Sequence, residues 1–343
     1  MNKIRAIIVL SCAALAVSCS GNRAREVGAR TVGIFVPGIV SGSPVYEMLV
    51  SGVTRAVTGA AESGEKVTVR VIEAGTSQAE WGTKLTALCA EKSCDLIVSS
   101  NPSLPEIIAP ISAQFPEQDF LILDAFAEGN PRITSFRYNQ REQAYISGYM
   151  AALVSSSSMK YANPAKKIGL VAGQEYPAML NIILPAYLEG ARAVDPAFEA
   201  DFRIVGNWYD AAKGAELARA MKGAGVDVIM PIAGGANQGV LAAAKEAGFY
   251  VAWFDDNGYA KAPGFVISSS VMAQDRLAYE AVRSWIDGTL AKGTASTVGI
   301  SGSYIDFVSD DALYISSVPQ DLRDRQAAML ERLRSGALEL PAR

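Results

Sequence analysis

Short runs rich in branched apolar residues recur along the chain, separated by longer stretches in which apolar residues return every third or fourth place. The runs predict strands at Thr31–Pro37, Lys66–Glu73, Leu96–Ser99, Phe120–Asp124 and Thr134–Arg137, then at Ile168–Ala172, Phe202–Asn207, Val226–Ile232, Tyr250–Phe254 and Phe265–Ser270. The longer stretches predict helices at Tyr46–Ala61, Glu80–Ala90, Leu104–Gln114 and Glu142–Val154, then at Pro177–Val194, Lys213–Gly223, Ala236–Glu246 and Gln274–Asp287. The strand runs are continuous rather than alternating, the mark of strands covered on both faces. Strand followed by helix, repeated, predicts parallel sheets with right-handed crossovers. Ten such strands are too many for one compact sheet in a chain of 343 residues, so the body divides into two α/β lobes.

The pattern completes about five strands and restarts with a helix across Thr134–Gln143, which places the first crossing between lobes there. A second crossing is expected near Tyr259–Ser270, where Pro263 and Gly264 interrupt the chain, and a third near Gly299–Tyr304. Lobe one is then 31–136 plus 268–298, and lobe two is 137–267 plus 299–343. Several crossings make a hinge with a cleft, and the carboxyl ends of both sheets aim at that cleft. The last segment, Gln320–Arg334, reads as a charged amphipathic helix covering the surface.

The amino terminus has a different pattern. Lys3 and Arg5 precede an apolar run from Ala6 to Val17, too short for a stable bilayer span. This is the layout of an export signal, 1–18, with small residues leading to Cys19. Leu15-Ala16-Val17-Ser18-Cys19 resembles a bacterial lipobox, in which the thiol is alkylated by diacylglycerol and acyl chains such as palmitate hold the protein at a membrane. Polar residues 19–30 then form a tether. Export makes a disulfide between Cys89 and Cys94 permissible; two small, half-buried free thiols are the alternative.

Composition removes several functions. Apolar residues are 50% of the chain and charged residues 19%, which excludes a disordered chain. Lys plus Arg is 31 against 35 Asp plus Glu, a net charge of −4, whereas a nucleic-acid binder is normally basic. There is no histidine, so no Ser-His-Asp or Cys-His nucleophile and no histidine metal site exists. The glycines after the first strand do not form a dinucleotide fingerprint, and no phosphate-binding loop is present. Asp255-Asp256 is at most half a metal site, and Glu175 with Asp255 is a weak glycosidase pair. No helix-turn-helix precedes the first strand, so a sugar-responsive repressor is not expected.

Residues just after the strands are the candidate binding residues. They include Tyr46 beyond the glycine-rich turn, Ser100 and Asn101, Asp124, Asn139 at the crossover, Gln174, Trp208, Gly234 and Asn237, and Asp255. The set is rich in amides, carboxylates and aromatics and poor in cations, apart from Arg137 and Arg141. Aromatics offer faces for a flat ring, and amides and carboxylates offer partners for hydroxyls and heterocycle edges. An uncharged, planar, hydroxylated ligand is expected. Strand-end Asp and Asn also cap helices and turns, which is the competing reading of each.

Phe120-Leu121-Ile122-Leu123-Asp124-Ala125, Ile146-Ser147-Gly148-Tyr149-Met150-Ala151-Ala152, Glu189-Gly190-Ala191-Arg192-Ala193-Val194-Asp195-Pro196 and, most specifically, Ala233-Gly234-Gly235-Ala236-Asn237-Gln238-Gly239-Val240 carry a family resemblance. Over most of residues 31–316 the chain resembles the basic membrane protein family of substrate-binding lipoproteins, which includes purine nucleoside receptors. The resemblance implies a type I periplasmic binding protein, two Rossmann-like lobes, that feeds an ABC permease and has no cofactor and no catalytic residues. It implies a nucleobase-type ring sandwiched between aromatics at the places of Tyr46 and Trp208, with Asp124, Asn139 and Asp255 near its edge and sugar. Nucleoside receptors carry a lysine in the segment Ser270-Val271-Met272, where this chain has Met272, and their acidic first loop is here Gly38-Ile39-Val40-Ser41-Gly42-Ser43. Larger stacking partners without a cation suit isoalloxazine and a ribityl chain, so the sequence looks like the riboflavin-uptake branch of the family. A purine nucleoside, a nucleoside or glycoside hydrolase, and an adhesive surface lipoprotein are the alternatives.

Overall fold

The computed structural model describes residues 28–342; the export signal, Cys19 and most of the tether lie outside them. The first sheet holds β1 (Arg30–Val36), β2 (Val67–Glu73), β3 (Leu96–Ser100), β4 (Asp119–Leu123), β5 (Ile133–Tyr138) and β11 (Ala295–Val298) in the order β11-β5-β4-β3-β1-β2. The second holds β6 (Lys167–Ala172), β7 (Glu199–Ile204), β8 (Val228–Ile232), β9 (Tyr250–Asp255), β10 (Val266–Met272) and β12 (Ile305–Phe307) in the order β12-β10-β9-β8-β6-β7. The two orders are the same arrangement repeated. Every ladder is parallel except β10 with β12.

Strand position follows burial. Central β3 and β8 are buried at every residue, while the edge strands β2 and β7 are largely solvent-touched. Helices α1 (Pro44–Glu62), α2 (Gln78–Ala90) and α3 (Leu104–Gln114) follow strands of the first sheet. Helix α5 (Leu184–Arg192), entered through a π turn at Met179–Ile183, α6 (Ala211–Gly223) and α7 (Asn237–Ala247) do so in the second.

Two helices change sides. After β5, α4 (Gln140–Ser155) packs on α5 of the second lobe. After β10, α8 (Gln274–Ile286) packs on α1 of the first. Glycine permits both close crossings. A Cβ at Gly148 would stand 1.9 Å from the Tyr187 carbonyl oxygen, and one at Gly52 would stand 2.1 Å from that of Asp275. The chain thus passes between lobes three times, at Tyr138–Gln140, Met272–Gln274 and Val298–Ile305.

The strands move two boundaries drawn from the sequence. Residues 268–272, assigned there to lobe one, belong to β10 of the second sheet, 268–271 pairing with β9 and Met272 with β12, and Arg137 and Tyr138, assigned to lobe two, end a strand of the first. The second crossing follows Met272 rather than falling in Tyr259–Ser270. Pro263 and Gly264 belong to a turn inside lobe two, and the polar run Ser268-Ser269-Ser270 is wholly buried. Two of those serines are satisfied there: Ser269 Oγ accepts from the Gly258 amide at 3.1 Å, and Ser270 Oγ pairs with Ser147 Oγ at 2.7 Å.

After β12 the chain forms α9 (Ala312–Ser317) and α10 (Gln320–Arg334). The latter is more than a surface cover. It buries Leu322, Met329, Leu330 and Leu333 and packs on α4, where Gln326 Nε2 donates to the Ile146 carbonyl at 3.3 Å. Cys89 and Cys94 are both buried, with no disulfide between them. Among the described residues no helix is long and apolar enough to cross a membrane.

Candidate ligand-binding cleft

In each sheet the connections reverse direction between the first and third strands of the lobe, which opens a crevice at their carboxyl ends. Tyr46 and Asn101 stand there in lobe one, and Gln174 and Gly234 in lobe two. Trp208 follows the neighbouring edge strand β7.

Each large aromatic lies over a strand-end glycine. A Cβ at Gly38 would be 2.8 Å from the Tyr46 ring, and one at Gly173 would be 2.5 Å from the Trp208 ring. The Tyr46 hydroxyl donates to the Pro37 carbonyl at 3.0 Å and accepts from Asn101 Nδ2 at 3.4 Å. Burial pushes that hydroxyl up to about 12, with Tyr209 and Asp124 adding to the rise and Asn101 opposing it. Trp208 Nε1 donates to Gln174 Oε1 at 3.2 Å, and its ring meets Tyr176 at 6.2 Å between centroids, tilted 43°. Tyr209 beside it is exposed.

Two half-buried carboxylates lie on the floor. Asp124 directly follows β4 and Asp255 ends β9, and both have positive φ, 52° and 80°. Burial pushes Asp124 up to about 8, with the charge of Asp255 adding to it. Burial pushes Asp255 up to about 7, against a hydrogen bond from Gln143 that favours the anion. Both acids in turn raise Tyr176, whose hydroxyl is chiefly held up by burial. The first turn of α4 reaches both: Gln140 Nε2 donates to Asp124 Oδ1 at 3.1 Å, and Gln143 Nε2 to Asp255 Oδ1 at 3.2 Å. Among the described residues no group of acids and cysteines could hold a metal ion.

Three residues singled out from the sequence are spent on structure. Ser100 is buried and donates to Gln274 Oε1 at 3.1 Å. Asn139 caps α4 through Glu142 and donates to the Leu340 carbonyl at 2.7 Å. Asn237 Oδ1 accepts from the Ala233 amide at 2.8 Å. Glu175 is exposed, and Met272 is buried against β12. Tyr176, Gln140 and Gln143 join the cleft beyond the chosen set; their signal was adjacency to strand ends and to the crossover. The nearby cations are tied up. Arg137 lies over Phe126 at 4.0 Å and donates to Thr297 and Ala342, and Arg141 pairs with Glu189 at 3.0 Å. A separate cavity of about 760 Å3, lined by Arg30, Phe115, Trp285 and Lys292, sits at the opposite, amino-terminal edge of the first sheet.

Residues 29–339 match the Bmp family, described as ABC transporter substrate-binding protein PnrA-like. The chain belongs to this family. A nucleoside-binding protein BmpA of an ABC transporter from Lactococcus lactis is 24% identical over 70% of this chain and 69% of its own length. Basic membrane protein A1 of Borrelia garinii is 23% identical over 79% of this chain and 76% of its own. A solute-binding protein of an ABC transporter from Aeropyrum pernix superposes with TM-score 0.77 at 21% identity, covering 92% of this chain and 94% of that one. A carbohydrate solute-binding protein of Agrobacterium radiobacter in complex with D-arabinose gives 0.63 at 15%, covering 86% and 100%. The fold is the two-lobed type I solute-binding fold, and the protein is a substrate-binding protein of the Bmp type.

Proposed function

We propose that this Bmp protein binds riboflavin in the cleft and delivers it to a membrane permease, itself catalysing no reaction. The carrying observation is the pair of aromatics from opposite lobes, Tyr46 and Trp208, each seated on a strand-end glycine, with Asp124 and Asp255 at the carboxyl ends of β4 and β9. Stacked aromatic pairs contribute about 0.5–1.5 kcal/mol each beyond area burial. A broad electron-poor ring gains most from electron-rich phenol and indole faces. The ribityl hydroxyls would find hydrogen-bond partners in Asp124 and Asp255, and Gln174 adds an amide at the rim. Export and acylation at Cys19 would hold the lobes at a bacterial membrane, on the periplasmic side.

Purine nucleoside is the second reading, favoured by the nucleoside-binding Lactococcus lactis relative. Titrating purified, refolded protein with riboflavin, inosine and adenosine, followed by quenching of tryptophan and flavin emission, separates the two. Preferential riboflavin binding supports the first reading; nucleoside binding without flavin binding replaces it. Release of free base from a bound nucleoside would establish a hydrolase instead. Mass spectrometry of the intact protein from a bacterial membrane fraction tests the lipid on Cys19.

A further inference from the structure

The chain beyond α10 lies across the hinge. The Leu338 amide folds back on the Arg332 carbonyl at 2.9 Å, and Leu340 is buried, 5% exposed. Three successive carbonyls, of Leu340, Pro341 and Ala342, then each accept a hydrogen bond from a side chain at the first crossing. The donors are Asn139 Nδ2 at 2.7 Å, Arg141 Nη1 at 3.4 Å and Arg137 Nη2 at 3.0 Å.

These donors belong to different bodies. Arg137 is fixed in lobe one: it lies in β5, covers the Phe126 ring at 4.0 Å and donates to Thr297 of β11 at 2.9 Å. Arg141 is fixed in lobe two through Glu189 of α5. Asn139 is on the crossing itself, and its amide donates to the Val298 carbonyl of the third crossing at 2.7 Å. The tail starts in lobe two, because α10 packs on α4 and its Arg334 pairs with Asp306 of β12. The Arg137–Ala342 bond therefore joins it to lobe one. That bond is made with the lobes drawn together: Tyr46 feels Tyr209 across the cleft, and Asp124 feels Asp255. Turning one lobe about the crossings carries Arg137 away from α10 and stretches the bond.

We propose that residues 340–342 are a strap over the hinge, a fourth link between the lobes beside the three chain passages, which holds the lobes closed and slows the release of bound ligand. This needs a ligand held between the lobes, but not a particular one. A contact made in only one arrangement favours that arrangement by its own free energy. One net hydrogen bond corresponds to about a fivefold change in an equilibrium. A loaded protein must open to let go, so its release rate carries the change.

Arg137→Met keeps an apolar stem over Phe126 and loses the donors. Thr297→Val removes only the bond within lobe one and is the control. Ending the chain at Glu339 removes all three carbonyls. Each protein is loaded with riboflavin, or with inosine where riboflavin does not bind, and release on rapid dilution is followed by recovery of tryptophan emission. Arg137→Met should release about fivefold faster, the shortened chain at least as fast, and Thr297→Val at the wild-type rate. Wild-type release from Arg137→Met or from the shortened chain, or equal acceleration in Thr297→Val, overturns the strap. A tail that only stabilises lobe two would lower the melting temperature and leave release unchanged. Should the shortened chain fail to fold, Arg137→Met against Thr297→Val decides. Should inosine bind and riboflavin not, the flavin reading falls and inosine release still judges the strap. Should neither bind the wild type, small-angle scattering of the ligand-free proteins decides: Arg137→Met should have the larger radius of gyration, and an equal one overturns the strap.

Discussion

Asp124 and Asp255 occupy equivalent places in the two lobes: each closes a central strand at positive φ, and each takes one amide hydrogen from the first turn of α4. In the folded chain both hold their protons above the ordinary aspartate value of about 3.9, Asp124 to about 8 and Asp255 to about 7. The folded state therefore binds more protons than the unfolded one across this window. The stability they contribute is fully present below about pH 4 and is lost as pH rises through about 7 and 8. Urea unfolding of the ligand-free protein should give a free energy that falls between about pH 5 and 8. Asp124→Asn, a residue that accepts positive φ, should flatten that fall. An equally steep fall in the variant would mean that Asp124 does not titrate in this window.

Removing either ring should weaken ligand and spare the fold. Trp208→Ala and Tyr46→Ala are each expected to cost about 1–3 kcal/mol of riboflavin binding, from about fivefold to somewhat over a hundredfold in dissociation constant. Both rings are only partly buried, so circular dichroism and the melting temperature should move little. Unchanged affinity in both variants would reject the sandwich.

Gly173→Ala tests the seat rather than the ring. The new methyl would stand 2.5 Å from the Trp208 ring, which must swing away. Trp208 sits at the rim, so the displacement should appear as severalfold weaker ligand binding and altered tryptophan emission. Calorimetric titration beside an emission spectrum checks both; wild-type values in the two would show that the ring is not held by this glycine.

Gly148→Ala addresses the frame. Its methyl would fall 1.9 Å from a backbone oxygen of Tyr187, where neither helix has a flexible side chain to yield. A loss of about 2 kcal/mol or more in urea unfolding is expected. Gly59→Ala, at a position with open space around it, is the control and should be neutral or slightly stabilising.

Most of the body is legible along the chain because β1, β3, β6, β8 and β9 are buried on both faces and read as unbroken apolar runs. Strands β11 and β12 are not, for opposite reasons of context. Ala295–Val298 is short and polar, Ile305–Phe307 has three residues, and each exists only because an edge is offered by β5 or β10. The second crossing was misplaced because Pro263 and Gly264 mark a turn that returns the chain to the second sheet as β10, and nothing local shows that the strand runs on to Met272. Candidate residues were legible in the same uneven way. The strand-end rule finds Tyr46, Asp124, Trp208 and Asp255 from order alone. Whether an asparagine faces ligand or caps a helix depends on distant chain: Asn139 is committed by Leu340, 201 residues further on.

The electrostatics of the cleft also sets the form in which cargo can enter. Gln140 and Gln143 hold two acids on the floor, and Arg137 and Arg141 are engaged elsewhere. On the proposed reading, a flavin mononucleotide or a nucleotide would bring its anionic ester to a half-buried floor where Arg137 and Arg141 are not free to pair with it. On that reading of the cleft, such esters would have to be hydrolysed before binding, so a phosphatase would belong upstream of this protein.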